Sequence, residues 1–163
     1  MSDHTRIDIS TDPLKRRMVG RTMHKGLDFD VPYMTQIADN LWQGGCEQGM
    51  VLPSHINYIL SLYPWERYEI KHKMRQEVYV RMYDDPNQAL DQIEDLAKRV
   101  NEWRKKGQVL VHCQAGLNRS SIVVVRALML EGMSADEAIS LVRTKRSPAC
   151  LCNDAFEAYL RAL

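Results

Sequence analysis

Residues 109–120 read Val109-Leu110-Val111-His112-Cys113-Gln114-Ala115-Gly116-Leu117-Asn118-Arg119-Ser120, and the organisation of the chain can be worked outward from them. The apolar run after Gly107 has the pattern of a central strand buried on both faces. Residues 121–130 are apolar all round, as in a helix packed against a sheet. Between these elements, Cys113 and Arg119 are separated by five residues, with Gly116 among them. A loop of this length turning directly into a helix can aim successive N–H groups at one point, and the helix N-terminus reinforces that anion nest. Gly116 permits backbone conformations closed to other residues, and Arg119 offers a planar fork that matches two phosphate oxygens. The donors that attract a phosphate dianion also stabilise a thiolate, which makes Cys113 a nucleophile at the base of the cradle.

On either side, strand and helix signals interleave. Residues 37–42, ending at Gly44-Gly45, read as a strand and turn; residues 56–62 read as a second strand, broken by Pro64, and residues 78–83 as a third. From 88 to 103 the apolar residues Leu90, Ile93, Leu96, Ala97, Val100 and Trp103 recur at threes and fours, which predicts an amphipathic helix ending at Lys105-Lys106-Gly107. Ser134 followed by Glu137 forms a capping-box pattern for another helix, and Asn153-Asp154 can start a last one running to Leu163. The expectation is an α/β domain with a central, mostly parallel sheet flanked by helices, its ligand beyond the carboxyl ends of the strands. Residues 1–35 have no clear period and are expected to be a loose or helical extension, docked on the domain or not, with the catalytic domain spanning 36–163. The basic run Lys15-Arg16-Arg17, with Arg21 and Lys25, reads as a solvated face or as a docking surface for an acidic partner.

Phosphoryl transfer from an ester also needs a proton for the leaving oxygen. Asp84 and Asp85 follow the third strand in a turn closed by Pro86, and one of them is the expected general acid, later the base that activates water. The residue before proline is biased to an extended backbone, so Asp85 suits a turn-stabilising role and remains the alternative general acid. The hydroxyl of Ser120 can either reach the sulfur, easing departure of the thiolate, or satisfy the helix start. His112 should point away from Cys113 and order the loop through hydrogen bonds. No metal is required: the pair Cys150 and Cys152 lacks a partner pair at zinc-finger spacing, and His112 adjoins Cys113 too closely to share an ion with it.

The 163 residues suit one globular domain. A formal net charge of +1 provides no general field for nucleic acid or membrane, so anion recognition must be local. No basic stretch followed by an apolar run opens the sequence, and the four cysteines (Cys46, Cys113, Cys150, Cys152) do not form a disulfide framework, so a cytoplasmic protein with reduced thiols is expected.

The stretch 109–120 resembles the signature of the cysteine-based protein tyrosine phosphatase superfamily, specifically the small dual-specificity type. Asn40-Leu41-Trp42-Gln43-Gly44-Gly45 is similar to the family's opening strand, and Asn153, Ala155 and Phe156 to its closing segment. The resemblance does not reach residues before about 35. It implies Cys113 as nucleophile, Arg119 as phosphate ligand, Ser120 as the helper of thiolate departure and Asp84 as the acid. It places the phosphate on the loop from Gln114 through Ala115, Gly116, Leu117 and Asn118 to Arg119, where sulfate or vanadate could also sit, without a cofactor. The implied substrates are phosphotyrosine, and phosphoserine or phosphothreonine, in proteins or peptides. Gln114, Ala115, Leu117 and Asn118 are neutral, unlike the lysine-bearing loops of relatives acting on inositol lipids. Asn118 before Arg119 is also seen in relatives that attack the 5′-triphosphate of RNA, the one way nucleic acid would enter. A phosphate-binding module without turnover is the remaining alternative.

Overall fold

The computed structural model describes residues 10–163. Among these residues seven strands and four helices follow in the order β1 (Arg17–Arg21), β2 (Asp28–Pro32), β3 (Met34–Ala38), β4 (Leu41–Gly44), β5 (Tyr58–Ser61), β6 (Gln76–Tyr79), α1 (Ile93–Arg104), β7 (Val109–His112), α2 (Arg119–Leu130), α3 (Ala135–Lys145) and α4 (Asp154–Arg161). Five strands form one sheet in the order β3-β4-β7-β5-β6, with β3 antiparallel to β4 and the other pairs parallel. The mostly parallel α/β sheet expected from sequence is therefore present.

Strand β7 lies at the centre with all four residues buried, because it is covered on both faces. Val109 and Val111 enter the larger core with residues of α1 and α2, while Leu110 enters a second core with Met34, Met50, Ile56 and Ile59. That two-residue alternation sends Cys113 to the first side and His112 to the second, where its ring meets Tyr68 edge-on at 5.3 Å. Helix α2 is buried on almost every side. Ser134 and Glu137 form the reciprocal capping box at the start of α3, and the Asn153 side chain accepts from the Ala155 amide at the start of α4.

Several expectations need correction. The single strand at 37–42 is two antiparallel strands, because Asn40 takes a left-handed turn at φ 60°. Asparagine tolerates that conformation better than most residues. The strand expected at 78–83 is shifted to Gln76–Tyr79, since its partner β5 offers only Tyr58–Ser61 for pairing. Helix α1 starts at Ile93, not near Gln88; the preceding residues form turns that leave Leu90 packed on the core.

The largest departure is within the expected loose or helical extension 1–35: its first nine residues lie outside the described residues, and β1 and β2 form an antiparallel hairpin. Arg17 pairs with Asp30 at 2.6 Å and Arg21 with Asp28 at 3.1 Å, so opposite charges face each other across the strands. Arg16 and Lys25 are paired with Glu47 and Asp154. Four of the five basic residues thus meet acidic partners within the chain, in exposed ion pairs on the surface.

Candidate active site

The loop after β7 is held from outside by its carbonyls. Gln114 O accepts from the Cys46 amide at 3.0 Å, and Leu117 O from the Leu151 amide at 2.9 Å. Arg146 serves the two carbonyls between them, donating through Nη2 to Ala115 O at 2.9 Å and through Nε to Gly116 O at 2.7 Å. Its Nη1 donates to Pro32 O and Thr35 Oγ1, so one buried guanidinium joins the loop, the end of the hairpin and β3. With four consecutive carbonyls fixed outward, the loop amides are left to its concave side, as an anion nest requires. Gly116 has φ +72°, and a Cβ there would fall 2.4 Å from the Gly44 carbonyl carbon. The close approach of Gly44 and Gly116 therefore requires glycine at 116 on two counts.

Cys113 is buried, with its amide bonded to Gly44 O. Ser120 Oγ lies 3.4 Å from Cys113 Sγ. Gln43, named from the sequence only as part of the opening strand and not as a site residue, is fully buried beneath them; its Nε2 approaches Gly116 O at 3.1 Å, Ser120 Oγ at 3.1 Å and Ser121 Oγ at 2.7 Å. The carbonyl can only accept, so the amide nitrogen must face this group. Ser120 Oγ then accepts from Gln43, leaving its proton free for the sulfur.

Arg119 opens α2, is buried, and donates through Nη1 to Met82 O at 2.9 Å while lying over the Tyr63 ring. Its Nε has no partner among the described residues, a donor left for an anion in the cradle. Cys113, Arg119 and Asp84 line one cavity of about 500 Å³, and Met18 and Phe29 of the hairpin form part of its wall. Among the neutral loop residues Gln114 is exposed, whereas Leu117 joins the core and Asn118 is buried.

The two aspartates separate clearly. Asp85 Oδ1 accepts from the Asn87 amide at 2.8 Å on the exposed surface, the turn role expected of it. Asp84 faces the cavity, where Oδ2 accepts from Asn118 Nδ2 at 2.9 Å and Oδ1 from Asn153 Nδ2 at 3.0 Å. Asn118 Oδ1 also accepts from the Asn153 amide, so the loop, Asp84 and the start of α4 form one network. Asn118 is thus a scaffold for Asp84 as well as a loop residue.

All four cysteines are free and buried. Cys46 lines the same cavity, but burial, followed by Glu66 and Glu47, pushes its thiol up to about 12, keeping it protonated. Burial also raises Cys150. Among the described residues, no three His, Cys, Asp or Glu side chains form a group able to hold a metal ion.

His112 donates through Nδ1 to Cys113 O at 3.1 Å, as loop ordering requires, and its buried Nε2 has no partner among the described residues. Burial lowers its pKa to about 4. Below about pH 6.5 the unfolded chain therefore binds a proton that the folded chain refuses. Stability should fall as pH drops from about 6.5 to about 4, by about 3 kcal/mol from this group, and level off below. Denaturant midpoints measured across that range should show the slope, and His112→Asn, which keeps a donor for Cys113 O, should remove this share of it.

Residues 47–163 match the family described as dual specificity phosphatase, catalytic domain. Over 48 residues the chain is 46% identical to MAP kinase phosphatase with leucine-rich repeats protein 3 of Dictyostelium discoideum, covering 29% of this chain and 6% of that protein. Over 112 residues it is 26% identical to dual specificity protein phosphatase OPG106 of vaccinia virus (strain Western Reserve), covering 66% of this chain and 64% of the viral protein. The chain thus spans less than two thirds of either relative. A mouse dual specificity phosphatase crystallised with zinc tungstate has the same fold, with a TM-score of 0.69 and 25% identity, over 80% of this chain and 86% of that one.

Proposed function

The chain belongs to the dual specificity phosphatase catalytic-domain family, and on that premise we propose that it hydrolyses phosphotyrosine, with phosphoserine or phosphothreonine, in phosphoproteins. The observation that carries this reading is the convergence of Cys113, Arg119 and Asp84 on one cavity. In the first step Cys113 Sγ attacks phosphorus, and the ester oxygen leaves with the proton of Asp84. Arg119 and the loop amides hold the three equatorial oxygens through the transition state. In the second step Asp84 takes a proton from water, whose oxygen attacks phosphorus as the Ser120 hydroxyl donates to the departing thiolate. Phosphate is released and the acid is restored.

Phosphate, sulfate or vanadate would occupy the same loop. The mouse relative was crystallised in complex with zinc tungstate, which accords with an affinity for tetrahedral oxyanions. The four free thiols of this chain accord with a reducing, cytoplasmic setting. Triphosphorylated RNA is the weaker reading, because the Asn118 amide that suggested it is engaged with Asp84 and Cys152.

Phosphotyrosine peptides should be turned over in the presence of a chelator and protected by vanadate. A phosphopeptide panel that stays inert while triphosphorylated RNA ends react would overturn the protein assignment. The acid is tested separately. Asp84→Asn should lower kcat by roughly 10²- to 10⁴-fold on an ester with a poor leaving group, and far less where the leaving group needs no proton. Asp85→Asn should leave both rates near wild type, since it loses only a surface turn bond; the reverse pattern would exchange the two roles.

A further inference from the structure

The hairpin lies outside the region matched by the family, yet its tip touches the acid. His24 Nε2 lies 3.1 Å from the main-chain O of Asp84 and 3.2 Å from its Oδ1. A carbonyl oxygen only accepts, so Nε2 carries the proton and donates to both. The tip is built to present this ring. Thr22 Oγ1 donates to His24 O and accepts from the Leu27 amide, while the Thr22 amide donates to Leu27 O. Lys25 follows at φ 66° and pairs with Asp154 at 2.7 Å, beside the Asn153 that also holds Asp84. The turn is therefore anchored immediately beyond the histidine to the helix start that serves the same carboxyl.

We propose that His24 is a positioning residue for Asp84, selecting the carboxyl oxygen that carries the catalytic proton. This rests on Asp84 being the acid. Oδ1 receives two donors, from Asn153 and His24, whereas Oδ2 receives one, from Asn118. A protonated carboxyl has one oxygen that is purely an acceptor and one that bears the proton. Two donors on Oδ1 assign it the first role. The proton is then on Oδ2, the oxygen bonded to the phosphate-loop residue Asn118, and passes from there to the leaving oxygen. Without His24 the proton can occupy either oxygen and the segment bearing Asp84 loses its contact with the hairpin.

The test compares phenyl phosphate with 2,4-dinitrophenyl phosphate on the full chain. His24→Ala should lower kcat for the first about 10-fold or more, the scale of a small misplacement of a catalytic group, and leave the second nearly unchanged. His24→Gln, whose Nε2 can take the place of the ring nitrogen, should recover most of the loss. In an Asp84→Asn background His24→Ala should add nothing. Equal losses on both esters, multiplicative losses in the double variant, or no loss on phenyl phosphate would each overturn the proposal. A fall in melting temperature shared by His24→Ala and His24→Gln, with no difference between their rates, would mark the contact as structural and also overturn it. If Asp84→Asn itself shows no leaving-group dependence, the acid assignment fails first and this inference with it. Where Asp84→Asn shows that dependence and His24→Ala does not, only the inference falls.

Discussion

Cys113→Ser should reduce turnover of an aryl phosphate by a factor on the order of 10⁵ or more, the scale on which loss of a covalent nucleophile acts. A serine hydroxyl is not ionised at neutral pH, and the neighbouring Ser120 hydroxyl, 3.4 Å from the sulfur, is no base that could remove its proton. The cradle should survive. Its carbonyls are held by Arg146, Cys46 and Leu151, none of which touches the sulfur through these bonds. Titration of a phosphotyrosine peptide into the variant should therefore show affinity close to that of the parent, with no release of phosphate. Turnover near wild type would remove Cys113 from its role. Lost binding together with lost turnover would show that the sulfur organises the loop.

Arg119→Lys should lower kcat/KM by roughly 10²- to 10³-fold, comparable to removing a preorganised donor from a charged transition state. One arm of the guanidinium is already engaged with Met82 O, and the same plane lies 5.0 Å from the centre of the Tyr63 ring. These contacts orient the fork so that Nε remains for an anion. A lysine keeps the charge but offers a single rotating point, which cannot hold Met82 O and phosphate in one plane. The loss should appear in kcat more than in KM, because the fork matches the spread charge of the transition state better than the bound ester. A change of only a few fold would show that the loop amides hold the phosphoryl group without it.

The difference between what could and could not be read from the chain follows sequence distance. Cys113, Gly116 and Arg119 lie within one short run, so the strand, the loop and the start of α2 can be recognised together from local pattern. Asp84 and Asp85 could be proposed because a turn after a strand announces itself with proline. Choosing between them by geometry required knowing that Asn118 and Asn153 converge on one of them. The hairpin carries little local signal, because its period is two over only five residues per strand, with a glycine in β1 and charges that make sense only when paired across it.

The sequence therefore determined the central strand, the buried helix after it and the placement of Cys113, Gly116 and Arg119 on the loop between, because each depends on residues a few positions apart. Tertiary structure decided the supports of that chemistry. Arg146 reaches Gly116 across 30 positions, His24 reaches Asp84 across 60 and Gln43 reaches Ser120 across 77. Such contacts leave no periodic trace, since a buried hydrogen-bonding partner is specified by where the chain returns in space and not by its neighbours along it.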